Sequence, residues 1–505
     1  MRKIKIMNTV KICFIVVSLA ITGRAAAQET TVAIHKAPAQ EKTIAIHWDK
    51  TQQVSRTTPT LQVVYNPMLR ENSPIYKGTF EALKQLEATY VRYVPWFPYP
   101  KAAVVELKAP TKTETFWDFT YADPAMEALM QAQGDRSVVI NFSTTPAWMW
   151  KTAKPVEVDN NPDLVNWSYN QGTELVDPDG KEMAAYFARL ISWYTKGGFT
   201  DELGKYHPSG HHYKIAYWEV LNEPDLEHHI SPQLYTRLYD AIVTEMHNVS
   251  PETRFVGISV AYETNPEWFE YFLNPANHRP GIPLDAISYH FYGRPTINDL
   301  PIGNYQYSFF DQANGFLDRV RYIEAIRKRL SPATMTQINE IGNILLDHDY
   351  KNDIPPAYWN LAGAMYAYLY LELTKIGIDV AGESQLVGYP TQFPDVSMMN
   401  WTSGKPNARY WVLRLLHDHL GPGDQLKHTA LSSQSVVAQA FVTRHGKRLL
   451  LINKYDKDES LKLPEGAFHI SYVDGTTGDN PAAEKDITGG QVTLSPYSVA
   501  IVEFK

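Results

Sequence analysis

The sequence predicts a (β/α)8 barrel of the TIM type, an α/β fold, followed by a small C-terminal antiparallel β-sandwich domain. Three observations carry this. From about residue 60 to 421, eight apolar, β-branched runs alternate with eight stretches of helical character. No strand leads into a Gly-rich phosphate loop, which argues against the runner-up, an open doubly wound sheet. After about residue 424 the helical spacing stops, and short alternating strands with turn residues between them take over. The expected boundaries are a signal peptide over 1–27, an N-terminal segment over 28–59, the barrel over 60–422 and the sandwich over 423–505.

The first 27 residues read as a processing segment. Arg2, Lys3, Lys5 and Lys11 precede the apolar stretch CFIVVSLAIT (13–22), and Ala25-Ala26-Ala27 follows. That is the order of a secretory signal peptide, too short for a permanent membrane anchor, with cleavage expected after Ala27. The only cysteine, Cys13, lies inside it. The remaining chain would have no disulfide, no thiolate nucleophile and no cysteine-bound metal. A large exported chain without disulfides suits a bacterial periplasm. In the segment that follows, KTIAIHWDK (42–50) is a candidate extra strand for the sandwich.

The barrel strands are read as LQVVYN (61–66), TYVRYVPW (89–96), SVVINFS (137–143), IAYWEVLNE (215–223), RFVGISVA (254–261), AISYHFYG (286–293), TMTQINEIG (334–342) and VAGESQLVG (380–388). Between them, FEALKQLEA (80–88), SPQLYTRLYDAIVTEMHNV (231–249), GFLDRVRYIEAIRKRL (315–330) and ARYWVLRLLHDHLG (408–421) repeat apolar residues at three-and-four spacing, as amphipathic helices do. PAYWNLAGAMYAYLYLELTKIG (356–377) is apolar nearly all round but carries Glu372 and Lys375, and reads as a buried helix rather than a membrane span. The segment 144–180 after strand 3 is long for a loop without a role. Its Trp148, Trp150 and Trp167 are candidates either for a substrate wall or for packing the loop down. The chain has 12 Trp and 31 Tyr, rings that serve as core filler or stack on sugar faces.

In a parallel barrel the C-terminal strand ends open on one face. Strand 4 is read as ending at Asn222-Glu223-Pro224 and strand 7 at Glu340, so both carboxyls reach the same mouth. Two carboxyls across a cleft are what cleavage of a glycosidic bond requires. Strand 6 offers His290 and Tyr292 on one face, and strand 2 offers Arg92. A phenol or guanidinium beside a carboxylate favours its charged form. Asn222 can hydrogen-bond a sugar hydroxyl. Glu383 on strand 8 is a rival second carboxyl, ranked lower because that strand reaches the mouth later, near Gly388.

The stretch WEVLNEPDL (218–226) resembles the strand-4 signature of the clan of retaining glycosidases built on (β/α)8 barrels. The resemblance is greatest to glycoside hydrolase family 39, which includes β-xylosidases and α-L-iduronidase. It covers roughly residues 60–420 and the barrel-plus-sandwich layout. It implies that Glu223 is the acid/base and Glu340 the nucleophile. Two departures stand out: Asn339 precedes Glu340 where Thr or Ser is expected, and strand 8 lacks the Trp that floors the sugar site in many clan members. Tyr389, Phe393 or Trp401 could replace that Trp.

His207, His211 and His212, with His228 and His229, match no familiar metal spacing, so neither metal nor other cofactor is expected. Removing the five positive charges of the leader takes the net charge from −8 to −13, which excludes the basic face a nucleic-acid partner wants. The expected function is an exported retaining glycoside hydrolase acting on oligo- or polysaccharides, with substrate contacts from Arg92, Asn222, His290, Tyr292, Trp148 and Trp401. The alternatives are a non-catalytic carbohydrate-binding protein on the same barrel, and a transglycosylase.

Overall fold

The structure is a computed structural model. It describes residues 42–504 except 170–171, 296–301, 346–353, 390–392 and 465. The expected signal peptide therefore lies outside the described residues, which fall in one compact unit.

Eight parallel strands close into a barrel: Thr58–Val64, Val91–Val94, Val138–Ile140, Tyr217–Glu219, Arg254–Val260, Ala286–Gly293, Met335–Asn343 and Val380–Glu383, here barrel strands 1 to 8. Each pairs with its neighbours in sequence, and strand 8 returns to strand 1 with Glu383 opposite Leu61. That closure rules out the open doubly wound sheet. The longer helices between and after the strands are Tyr76–Leu86, Asp123–Gln133, Lys181–Thr195, Pro232–Val249, Glu267–Phe272, Ile302–Leu330, Pro356–Ile376 and Ala408–His419.

The helices form where the sequence supplies both a cap and an apolar stripe. Ser231 accepts a hydrogen bond from the Leu234 N–H, and Pro232 opens the first turn. Tyr235, Leu238, Tyr239, Ile242, Val243 and Met246 then form one buried face. Pro356–Ile376 is buried on nearly every side, and Gly377 (φ 91°) ends it in a left-handed conformation. Glu372 and Lys375 pair with each other on it. No helix among the described residues is long and apolar enough to cross a membrane.

Several strands are shorter than their sequence patterns suggest. Strand 4 stops at Glu219, so Glu223 lies beyond it rather than at its end. The chain leaves the ladder because Leu221 (φ 61°) and Glu223 (φ 40°) are left-handed. Strand 7 shows the opposite departure. It runs on to Asn343, which places Glu340 within the strand.

Beyond the barrel, an antiparallel sheet of seven strands runs in the order Ala483–Thr488, Ala467–Val473, Val499–Phe504, Gly446–Asn453, Val436–Thr443, Gln425–Ala430 and Ala45–Val54. Ala45–Val54 comes from before the barrel and pairs with Gln425–Ala430. A second sheet joins Lys42–Thr43, Glu459–Lys462 and Gln491–Leu494. Leu461, Val492 and Leu494 of the second sheet pack with Val436, Leu449, Leu451, Phe468, Ile470 and Val502 of the first into a separate apolar core, the arrangement of a sandwich.

Candidate active site

The mouth of the barrel is built around one buried arginine. Arg92 on strand 2 donates from Nε to Glu219 (2.5 Å). From Nη1 it donates to Glu340 (2.5 Å) and Gln62 (2.6 Å), and from Nη2 to Asn222 (2.6 Å) and Ser259 (3.2 Å). A buried guanidinium is tolerable only with its donors so occupied. Glu219 was not anticipated as a site residue. Its second oxygen accepts from Ser288 and from Asn339 Nδ2 (2.7 Å), and the oxygen facing Arg92 also accepts from Asn141 Nδ2 (2.5 Å). Strands 2, 6 and 7, and Asn141 just past strand 3, thus all donate to one carboxylate on strand 4. Asn339, the departure noted before Glu340, serves as one of those donors.

Glu340 is the register partner of His290 across strands 6 and 7. One of its oxygens faces Arg92 and the other accepts from the Tyr292 hydroxyl (2.7 Å). Tyr292 also contacts Ser384 (2.7 Å), which accepts in turn from Gln62 (2.7 Å). His290 bridges the two carboxyls: Nδ1 lies 2.8 Å from Glu223 Oε1, and Nε2 lies 3.6 Å from Glu340 Oε1. Oxygens of Glu223 and Glu340 come within 4.8 Å of each other.

The two carboxyls are pushed in opposite directions. Burial raises Glu223 above the ordinary carboxylate range, and its hydrogen bond with His290 offsets only part of that. Burial would raise Glu340 as well. The charges of His290 and Arg92, with the hydrogen bonds from Tyr292 and Arg92, outweigh it and hold Glu340 low. Burial lowers His290, but Glu340 and Glu223 more than compensate, so the ring holds its proton more tightly than a free imidazole.

Backbone strain concentrates here. Leu221 and Glu223 on one side, and Ile258 (φ 74°) and Ser259 (φ 50°) on strand 5, are all left-handed without being glycine. Such residues cost about 1–3 kcal/mol each and persist where the surroundings over-determine them. The Glu223 N–H bonds the Ser259 carbonyl (2.8 Å), tying the two strained pairs together. Asp225 accepts from the Ala261 and Tyr262 N–H groups and pins the turn that carries Glu223.

The expected substrate contacts divide into two groups. Tyr292, Asn222, His290 and Arg92 all join the central cluster. Arg92 and His290 are buried beneath the carboxyls, so they act on Glu340 and Glu223 rather than reach outward. Asn222 is occupied at both ends, by Arg92 and by Glu227 (2.9 Å). Trp148 and Trp401 are held instead by backbone carbonyls, those of Glu106 (2.9 Å) and Gly388 (2.7 Å). Among the described residues neither makes a hydrogen bond or ring contact to the central cluster. Trp150 is core, stacked 4.3 Å from His228. Glu383 points to the helix layer, where it pairs with Arg409 (2.9 Å). The rim is formed by residues read earlier as strand or loop. Trp96 lies edge-on to Trp167 at 5.5 Å, and Phe393 closes the group.

Among the described residues, two groups of side chains have the composition of a metal site. Glu223, His290 and Glu340 form one, and Asp123, Glu127 and His211 the other. In the first group both Glu340 oxygens and Glu223 Oε1 are engaged by protein side chains. In the second, His211 lies 3.5 Å from Asp123 and 3.7 Å from Glu127, as in an ordinary ion pair. His207 is bound to Asp201 (2.8 Å).

Solved structures share this architecture. The chain is similar to an α-L-arabinofuranosidase from Thermotoga maritima in complex with arabinose, at 14% identity and TM-score 0.61, over 91% of this chain and 99% of that one. It is similar to a monomeric β-xylosidase from Caulobacter crescentus CB15, at 15% identity and TM-score 0.58, over 91% and 99%. A GH30 endoxylanase from Clostridium papyrosolvens C71 matches at 14% identity and TM-score 0.56, over 91% and 99%. The chain has the fold of the (β/α)8 glycosidases. At these identities the likeness shows the fold alone, and no single glycosidase family stands out among the three. A family model for the C-terminal immunoglobulin-like domain of D-apionate lactonase matches residues 433–502, which lie in the sandwich. A comparison with curated proteins finds no match.

Proposed function

We propose that the protein is a retaining glycoside hydrolase, with Glu340 as nucleophile and Glu223 as acid/base. One observation carries the reading. Two carboxyls, with oxygens within 4.8 Å of each other, are shifted in opposite directions, Glu223 up and Glu340 down. Retention calls for carboxyls roughly 5–5.5 Å apart, and inversion for a wider gap that admits water. In the first step a Glu340 oxygen bonds to the anomeric carbon while the bond to the leaving oxygen breaks, and the Glu223 proton passes to that oxygen. In the second, Glu223 takes a proton from water, the water oxygen bonds to the anomeric carbon, and Glu340 departs. Tyr292 and Arg92 hold Glu340 charged and oriented. His290 orients Glu223. Export by the leader at 1–27, to a periplasm, belongs to the same reading.

The family-model match favours one second reading, hydrolysis of a sugar lactone. The same pair could serve, one carboxylate activating water at the ring carbonyl and the other carboxyl protonating the ring oxygen. A panel of aryl glycosides, plant polysaccharides and aldonolactones separates the two. Hydrolysis of a glycoside with retained anomeric configuration, followed by NMR and lost in Glu340→Ala, is the expected result. Turnover of lactones alone would establish the second reading.

A further inference from the structure

We propose that Trp96, Phe97, Trp167 and Phe393 form a sugar-binding platform beside the carboxyls, so that the substrate is a glycan of at least two sugar units. This rests on the glycosidase reading. Three separate chain segments bring the rings together: the end of strand 2, the insert after strand 3 and the loop after strand 8. Trp167 meets Trp96 at 5.5 Å, Phe97 at 5.9 Å and Phe393 at 6.1 Å. The rings meet edge-to-face (83°, 68° and 83°) rather than stacked in parallel. Trp167 is 48% exposed, whereas the neighbouring Trp150, which packs the same insert down, is 2% exposed. A large bare aromatic held in a fixed pose is unusual unless something covers it in use.

The platform is anchored to the catalytic turn. The Trp96 indole N–H donates to Glu227 (3.0 Å), and Glu227 also accepts from Asn222, the residue before Glu223. The Asn166 N–H bonds the Pro98 carbonyl (2.8 Å) and clamps the insert onto the turn that carries Trp96 and Phe97. Phe393 is left-handed (φ 51°), a conformation aromatic residues rarely adopt. The occupant is fixed by the setting. A flat apolar face next to paired carboxyls suits the C–H face of a sugar ring. Trp96 is tied to the catalytic turn through Glu227, and Trp167 stands one ring further out, which suits the neighbour of the sugar being cleaved.

The test compares aryl glycosides carrying one sugar with those carrying two or three of the same sugar. In Trp167→Ala, the ratio of kcat/KM on the longer substrate to that on the shorter should fall about tenfold, through KM. Trp167→Phe should recover most of it. A ratio that stays constant in Trp167→Ala, with the variant folded by thermal denaturation, overturns the platform. If no glycoside is turned over by the parent chain, the glycosidase reading fails separately. Calorimetric titration of xylo- and arabino-oligosaccharides into Glu340→Gln, with and without Trp167→Ala, then decides the platform. Affinity lost on removing the indole supports it, and absence of any oligosaccharide binding overturns it.

Discussion

Glu219 and Arg92 form an ion pair 2.5 Å long in which neither side chain is more than 1% exposed. The pair sits at the centre of the barrel, and Glu340 is held by the same guanidinium. Glu219 therefore acts on the candidate nucleophile indirectly, by fixing how Arg92 presents its two terminal nitrogens.

Removing one partner of such a pair leaves the other buried and uncompensated. Glu219→Ala should destabilise the fold by about 3–5 kcal/mol, read by urea unfolding. Glu219→Gln keeps a side chain of the same shape and should lose less. An unchanged unfolding midpoint in Glu219→Ala would show that Arg92 is satisfied without it.

Tyr292→Phe removes a hydrogen bond to a charged carboxylate without changing shape. Turnover of a glycoside should fall about ten- to hundredfold, with the melting temperature nearly constant. The acid limb of the pH profile should move up, because Glu340 loses a group that keeps it low. Unaltered kinetics would remove Tyr292 from the reaction.

The pH profile itself should be bell-shaped. The proposed reaction needs Glu340 ionised, and its carboxyl lies below the ordinary value of 4.5, so the acid limb should fall below that pH. It also needs the proton shared around Glu223 and His290, both raised, so the alkaline limb should lie above their ordinary values. That limb belongs to the pair, not to either residue. With a substrate whose leaving group needs no protonation, the alkaline limb of the first step should vanish. Its persistence there would argue against Glu223 as the acid.

Azide should separate the two glutamates. In Glu223→Ala, a dinitrophenyl glycoside should, on the proposed mechanism, still form the covalent intermediate, with no base left to activate water. Azide needs no base and should restore turnover, giving a glycosyl azide of retained configuration. In Glu340→Ala no covalent intermediate forms, and any azide product should be inverted. The opposite pattern would exchange the two roles.

Glu106, in the loop after strand 2, gives a stability test away from the chemistry. Burial pushes its carboxyl up to about 8, with Glu202 adding to the shift. In the folded chain it keeps its proton between its ordinary value of 4.5 and about 8, while the unfolded chain releases it. Its contribution to stability therefore falls as pH rises through that window. Glu106→Gln should match the parent near pH 4.5 and exceed it by about 4 kcal/mol at pH 8. Equal stability at both pH values would show that Glu106 ionises normally.

The barrel was legible because its signals are periodic and local. Alternating strands and three-and-four helices identify themselves residue by residue, as in Pro232–Val249. Glu223, Glu340, His290 and Tyr292 were legible because each falls near the C-terminal part of its strand pattern, where strand order brings them together, and Arg92 because it is a charge inside an apolar strand. Glu219 was passed over, although the signal was present. It is a charge inside an apolar run, four residues before Glu223, and period two puts both on one strand face. The tryptophans were harder. Residues 144–180 have little periodicity, so nothing local distinguishes the buried Trp150 from the exposed Trp167. Trp96 was absorbed into a strand that ends at Val94. The left-handed turns at Leu221 and Ile258 left no trace, because neither residue type announces such a conformation.

The strand Ala45–Val54 is made before the barrel, but its partner Gln425–Ala430 is made after it. During biosynthesis it must wait, unpaired, while every barrel strand is added. An open strand edge invites pairing with other chains. This one is mostly exposed and carries Asp49, Lys50, Thr51, Gln52 and Gln53 in succession, a composition that discourages premature partners. The two ends of the barrel segment are then buckled together by the last part of the chain to emerge. A fragment cut at residue 423 would release the buckle and leave the sandwich without its edge, so the two halves should be produced together rather than as separate modules.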